Sequence, residues 1–245
     1  MHRFFVEEEQ IKDGYVSLVG SAAHYFSHVL RLQRDEIITV FDGQGTEYQV
    51  KIDNIEKEKV AGTILKKIVS NRDTLVDINL VQGIPKGEKM DLIVQKCTEL
   101  GVSKITPVLT ERTIVKLNDK KKLQRKERWQ RIAQEAAKQS KRFIVPEIAD
   151  ILTLQEYLEN LAPVEKNIIL WEEEKEHSLR KYLRENRDLE KLNVFIGPEG
   201  GFSKDEVNLV REKNGISITL GRRILRTETA GLAALTMILY DLGDL

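Results

Sequence analysis

The chain has 245 residues, 41% of them hydrophobic and 32% charged, and its 39 basic side chains equal its 39 acidic ones. That balance excludes collagen, low-complexity disorder and a wholly basic nucleic-acid tail, and the length fits one or two globular domains. The single cysteine, Cys97, excludes an intramolecular disulfide framework and a multi-cysteine zinc site, and no apolar run reaches the roughly 18 residues of a membrane helix.

The N-terminus, Met1-His2-Arg3-Phe4-Phe5-Val6-Glu7-Glu8-Glu9, turns acidic at once, unlike a secretory signal with its basic end and long apolar stretch. A soluble, cytoplasmic protein is expected. The first 72 residues then alternate like strands. Val16–Val19 is short and apolar. Asp35–Phe41 runs into Asp42-Gly43-Gln44-Gly45, a turn signal, and Thr46–Ile52 and Lys59–Leu65 alternate with period two. Short strands with Gly and Asp turns predict a small barrel or sandwich. Ser21 to Leu32 breaks the pattern with apolar residues at helical spacing and Ser21 as N-cap.

From Asp73 the period changes. Strands are expected over Val76–Val81, Lys104–Leu109, Asn167–Trp171, Leu192–Ile196 and Ile216–Leu220, with helical stretches between them. Met90, Ile93, Val94, Cys97 and Leu100 share one helix face that stops at Gly101, and Trp129, Ile132, Ala133, Ala136 and Ala137 share another. Alternating strands and helices predict an α/β domain with a mainly parallel sheet over residues 73–245, after a small β-domain over residues 1–72. Charge is uneven: Lys116 to Arg142 holds eleven basic residues against three acidic ones. Such a stretch can neutralise phosphates, and it is equally compatible with a solvated helix face.

No Gly-x-Gly-x-x-Gly follows a strand, and there is no phosphate loop, Gly-x-Ser-x-Gly elbow or His-Glu-x-x-His. The four histidines form no metal-ligand pattern, so no metal is expected, and Cys97 on its apolar stripe reads as core filler. Two other segments carry chemistry. Leu192-Asn193-Val194-Phe195-Ile196-Gly197-Pro198-Glu199-Gly200-Gly201-Phe202-Ser203 is a buried strand, a glycine loop, and a helix start boxed by Ser203 and Glu206. This layout places a ligand site at the carboxyl end of a strand. Ile216 to Gly231 repeats the scheme: a strand ends at Gly221, a short loop carries Arg222, Arg223 and Arg226, and a small-residue helix runs from Thr229 to Leu242. Ile224-Leu225 inside that arginine loop suggests a folded-in wall. Surface charge for the arginines and a helix-dipole role for Glu228 are the alternatives.

These two segments, Ile196–Phe202 and Leu220–Ala230, closely resemble the signatures of the bacterial 16S ribosomal RNA uridine N3-methyltransferases of the SPOUT superfamily. Lys96-Cys97-Thr98-Glu99-Leu100-Gly101-Val102, Gln139-Ser140-Lys141-Arg142 with Pro146, Arg3-Phe4-Phe5 and His28-Val29-Leu30-Arg31 are similar to further stretches of that family, so the likeness spans almost the whole chain. The resemblance implies a PUA-like β-barrel that binds RNA, an α/β SPOUT-type domain with a C-terminal trefoil knot, S-adenosylmethionine as methyl donor, and a homodimer. It implies transfer to N3 of a specific uridine in 16S ribosomal RNA, presented as RNA or as the small ribosomal subunit, with no membrane partner. On that basis Leu170, Ile196, Gly197, Glu199, Gly200, Leu220, Gly221, Ile224, Leu225 and Ala230 are expected around the cofactor. Arg226 is expected to stabilise the uracil anion, and Glu228 to take the N3 proton or to orient Arg226. Arg3, His28, Arg31, Lys86, Arg112 and Arg142 are expected on the RNA. Two other functions stay open: a ribose 2′-O-methyltransferase of the same superfamily, and a non-catalytic RNA-binding assembly factor.

Overall fold

A computed structural model of the chain describes residues 3–24, 26, 30, 32–56, 59–70, 74–162 and 166–245. It divides into two units. The first comprises Met1–Asp73 and Ala137–Val145, the second Thr74–Ala136 and Pro146–Leu245.

The first unit is built on a six-stranded mixed sheet. Its strands are β1 (Arg3–Phe5), β2 (Ile11–Lys12), β3 (Tyr15–Val19), β4 (Ile37–Phe41), β5 (Thr46–Ile55) and β6 (Lys59–Val69), in the order β1-β4-β5-β6-β3-β2. β1 runs parallel to β4, and the other pairs are antiparallel. The period-two pattern of β5 is the reason it is a strand: Tyr48, Val50 and Ile52 are buried while their neighbours face outward or lie half-buried. The Asp42 carboxylate closes the β4–β5 turn by accepting the backbone N–H groups of Gln44 (2.8 Å) and Thr46 (2.9 Å). Phe4, Val16, Leu18, Phe26, Ile38, Val40, Val50 and Val60 form the core. Of the helix expected from Ser21 to Leu32, the short α1 (Ser21–His24) is described. His28 and Arg31 lie outside the described residues.

Ala137–Val145 belongs to this first unit, although its place in the chain assigned it to the second domain. Backbone pairing holds it there: Gly45 N–H donates to Phe143 O (3.2 Å), and Val145 N–H to Gly43 O (2.9 Å). Arg3 secures the same segment. Its guanidinium donates to Glu47 (2.8 Å) and to the carbonyls of Ala137 (3.3 Å) and Arg142 (2.6 Å), and stacks 3.7 Å from the Phe41 ring centroid.

The second unit carries a seven-stranded, all-parallel sheet. Its elements are β7 (Asp77–Gly83), α2 (Lys89–Leu100), β8 (Lys104–Leu109), α3 (Asp119–Gln139), β9 (Glu147–Ile148), β10 (Leu152–Thr153), α4 (Leu154–Glu159), β11 (Lys166–Leu170), α5 (Leu179–Glu185), β12 (Lys191–Ile196), α6 (Lys204–Glu212), β13 (Gly215–Ile218) and α7 (Thr227–Leu242). The last residues of α3 fall in the first unit. Near-continuous apolar runs suit strands buried on both faces. Val81, Ile169 and Phe195 join a core with Leu154 and Leu158 of α4 and Val207 and Val210 of α6. The adjacent Leu80 faces Gly231 of α7, which packs with α2 on the other face. One polar row crosses the buried sheet. Thr106 donates to Asn79 (2.9 Å), Asn79 to Asn193 (2.9 Å), Asn193 to Asn167 (2.9 Å), and Asn167 to the Lys213 carbonyl (2.9 Å). Each amide on this row has a partner, which is what makes its burial tolerable.

The strand order β10-β8-β7-β12-β11-β13 reverses direction between β7 and β12. In open parallel sheets, ligands sit outside the carboxyl ends of the strands at such a reversal.

Candidate active site

A cleft of about 370 Å³ opens at the carboxyl ends of β11, β12 and β13 and at the first turn of α7. Its floor is the loop after β12. There Gly201 N–H closes a turn onto Pro198 O (2.9 Å), and Gly201 takes φ +68°, a left-handed conformation that favours glycine. Gly197 has a different reason to be glycine: a Cβ on it would lie 2.8 Å from the Cα and carbonyl carbon of Gly201. The helix that follows is capped as its sequence predicts. Ser203 Oγ accepts from Glu206 N–H (3.3 Å), and the Glu206 carboxylate accepts from the N–H groups of Ser203 (2.9 Å) and Glu111 (2.8 Å).

A second wall is Leu170-Trp171-Glu172, at the carboxyl end of β11. The loop carrying it is fixed by Glu174, a carboxylate only 8% exposed. One Glu174 oxygen accepts the backbone N–H groups of Lys175, Glu176 and His177. The other accepts from Ser217 Oγ, which in turn receives Arg211 at 2.8 Å. Burial alone would push this carboxyl up, but the hydrogen bonds from Ser217, Glu176, and His177 outweigh it and hold the pKa at about 2.

The third wall is the loop from Thr219 to Arg226, where Gly221 N–H donates to Thr219 Oγ1 (3.2 Å). Its arginines, Arg222, Arg223 and Arg226, are exposed and line the cleft. Leu225 is half-buried, but Ile224 is 80% exposed, so the apolar pair forms a lip rather than the folded-in wall expected. Charge gathers on the rim. Lys89 Nζ sits 2.8 Å from Glu199 and 3.7 Å from Glu228. The hydrogen bond that Lys89 donates to Glu199 holds the ammonium above its ordinary pKa despite some desolvation. Burial would raise the Glu199 carboxyl, and the Lys89 hydrogen bond, with backbone donors that include Lys86 N–H, overcomes this and lowers it.

Of the residues expected at a cofactor, Leu170, Ile196, Gly197, Glu199, Leu220, Gly221, Ile224, Leu225 and Ala230 line the cleft. Gly200 does not. Its Cβ direction points at the Arg112 side chain (3.2 Å), and its carbonyl accepts from Arg112 at 2.6 Å. Arg226 lies on the cleft. Glu228 stands behind it with a side chain 16% exposed, paired with Lys89 and not with Arg226. Its Oε2 is buried without a hydrogen bond. Among the residues expected on RNA, Lys86 is exposed, and Arg112 is exposed but bonded to the glycine loop. Arg3 and Arg142 are placed differently. Arg3 is committed to its internal bonds with a side chain 11% exposed, and Arg142 is 8% exposed. Backbone carbonyls and an aromatic face inside the first unit satisfy Arg3, and no alternation in the sequence announces such a clamp. Lys89 and Thr227 line the cleft without having been singled out. Both are the first residues of helices, α2 and α7, and that position was the available signal.

Among the described residues, no group of three or more His, Cys, Asp and Glu is placed to hold a metal, and no helix is long and apolar enough to cross a membrane. Cys97 is buried, and desolvation pushes its thiol up to about 12, which leaves it inert.

Residues 72–239 match the family described as RNA methyltransferase domain, and residues 19–65 the RNA methyltransferase PUA domain. The chain is 35% identical to the ribosomal RNA small subunit methyltransferase E of Bacillus subtilis, with 98% of this chain and 97% of that one covered. The crystal structure of the Neisseria gonorrhoeae protein of the same name, bound to S-adenosyl methionine, superposes with a TM-score of 0.86 at 32% identity, covering 97% and 96% of the two chains. A methyltransferase of Legionella pneumophila, in complex with the bound cofactor SAM, gives 0.84 at 32% identity, with 96% of each covered.

Proposed function

The chain belongs to the ribosomal RNA small subunit methyltransferase E family, and from that premise we propose that its cleft transfers a methyl group from S-adenosylmethionine to N3 of a uridine in 16S ribosomal RNA. The observation that carries this reading is the cleft itself: a glycine floor and apolar walls with Arg226 on the rim.

The residues present suit the cofactor. Gly197 and Gly201 leave two positions of the floor without a Cβ, which admits close approach to backbone groups, and Leu170, Ile196, Leu220 and Leu225 offer apolar surface to an adenosine. When bound, S-adenosylmethionine supplies a methyl group on a positively charged sulfur. The chain's own task is the uracil. N3 is weakly acidic and reacts only as its proton leaves, which puts negative charge on the neighbouring ring oxygens. The Arg226 guanidinium is permanently charged and presents several donors to those oxygens. Glu228 is the candidate acceptor: its Oε2 is buried with no hydrogen bond, and the Lys89 ammonium lies 3.7 Å from that same oxygen. Lys86 and the exposed arginines of the rim give phosphate contacts, which set affinity without choosing sequence. The same family reading includes a C-terminal trefoil knot, a homodimer, and a cytoplasmic protein acting on the small ribosomal subunit. The outward face of α7, with Met237 40% and Tyr240 73% exposed, suits an interface with a second copy.

The test is nucleoside mass spectrometry on 16S ribosomal RNA from a strain lacking the gene, with and without the gene restored. Loss and return of 3-methyluridine is the expected result. Loss of a ribose-methylated nucleoside instead moves the methyl to a 2′-hydroxyl. No lost nucleoside at all removes the catalytic reading.

A further inference from the structure

Two buried side chains, Thr227 and Gln82, connect the two loops that form the cleft. Thr227 opens α7 directly after Arg226, and its side chain lies 2.6 Å from the carbonyl of Gly197, at the end of β12. On its other side, Gln82 Nε2, from β7, lies 2.9 Å from the same hydroxyl and 2.9 Å from the Gly83 carbonyl. Gln82 is 0% exposed and Thr227 5%.

Donor accounting gives these contacts a direction. A carbonyl can only accept, so the single hydroxyl proton of Thr227 goes to Gly197 O. The hydroxyl oxygen must then receive, so Gln82 has to present its N–H to Thr227, and its second N–H goes to Gly83 O. The consequence is visible: Gln82 Oε1 is buried with no hydrogen-bond partner. A buried unpaired acceptor is costly, and a flipped amide would leave the Thr227 hydroxyl without a donor. The amide orientation is therefore dictated jointly by the Thr227 hydroxyl and the Gly83 carbonyl.

We propose that Thr227 is a positioning residue for the transfer, and that with Gln82 it holds Arg226 at one fixed distance from the glycine floor on which the methyl donor rests. This rests on the reading that the cleft carries methyl transfer with Arg226 stabilising the uracil anion. Arg226 itself has an exposed side chain and makes no side-chain cap to α7. The neighbouring hydroxyl is what ties its backbone to the opposite loop.

The experiment compares Thr227→Val, Thr227→Ser, Arg226→Ala and the double variant Arg226→Ala/Thr227→Val. It measures S-adenosylmethionine affinity by calorimetry and single-turnover methylation of small subunits purified from the deletion strain. Valine keeps the volume of threonine and removes the hydroxyl. Turnover at saturating cofactor and RNA should fall roughly tenfold or more, as expected for a reacting group displaced by a fraction of an ångström. Cofactor affinity should stay within about threefold, serine should restore the rate, and valine should add little in the Arg226→Ala background. Wild-type turnover in Thr227→Val, a loss confined to cofactor affinity, or a full additive loss on top of Arg226→Ala would each overturn the proposal. If Thr227→Val does not fold, Gln82→Met removes the donor to Thr227 and is judged by the same criteria. Wild-type protein that binds cofactor yet methylates no subunit sinks the parent reading instead, independently of the variants.

Discussion

The loops after β12 and β13 read alike in the sequence: a strand, a glycine, a polar turn, a helix. In the molecule they are opposites. The first is closed by its own contacts. Gly197 is pressed against Gly201, Glu199 is held by Lys86 and Lys89, and Arg112 is bonded to Gly200. The second is open. A Cβ on Gly221 would meet nothing within 4 Å, and three arginines and Ile224 stand exposed. One loop is a preformed floor, and the other keeps its cations and a large apolar side chain uncommitted, available to a ligand. Preorganised binding and adaptable recognition can thus share one cleft.

The largest effect should come from the open loop. Arg226→Ala should lower turnover by roughly 10²–10³-fold, the scale of removing one charge-stabilising donor, while cofactor binding by calorimetry stays near wild type. A loss of cofactor affinity instead would mean that this loop, too, is floor. Next comes the closed loop. Gly197→Ala forces a Cβ to within 2.8 Å of Gly201 backbone, so cofactor affinity should fall by about tenfold or more and thermal stability should drop, whereas Gly221→Ala meets no neighbour but strains a backbone at φ +119°, so it should cost stability while perturbing binding less. Equal effects would erase the contrast.

Glu174 tests the wall between the two loops. Glu174→Gln should cost about 2 kcal/mol at neutral pH by weakening its charge-assisted bonds. The folded carboxyl is depressed to about 2, so its stabilising contribution is present above the ordinary carboxylate pKa and lost as pH falls toward 2. Urea midpoints of wild type and variant should therefore converge as pH falls from about 4.5 toward 2. The smallest effect is expected at Gly200. Its side-chain direction meets the Arg112 side chain, 3.2 Å away at Cβ, and not the cleft, so Gly200→Ala should leave cofactor affinity within about threefold.

Both glycine loops, the Ser203–Glu206 capping box and the parallel strands were legible because each is written locally, in periodicity, caps and turn residues. β8 matches the expected Lys104–Leu109, and α7 begins two residues earlier than expected, at Thr227. What was not legible depends on partners distant in sequence. The asparagine row across the sheet looks, in each strand, like an isolated polar residue in an apolar run, and only strand order pairs Asn79 with Asn193. The resemblance placed Gly200 among the cofactor contacts, and no local pattern shows that its Cβ direction turns toward Arg112. Arg3 looked like an RNA ligand because the carbonyls that satisfy it lie more than 130 residues away.

The return of Ala137–Val145 to the first unit bears on the order of synthesis. Domains commonly fold as they leave the ribosome, the N-terminal one first. Here the sheet of residues 3–69 would emerge with Arg3 lacking its carbonyl acceptors and Gly43 and Gly45 lacking their backbone partners until Val145 follows. By then β7, α2, β8 and α3 have already been synthesised. The N-terminal unit is first in the chain but cannot be first to finish, and a fragment ending at residue 72 would present an unsatisfied edge where the complete protein has a sealed one.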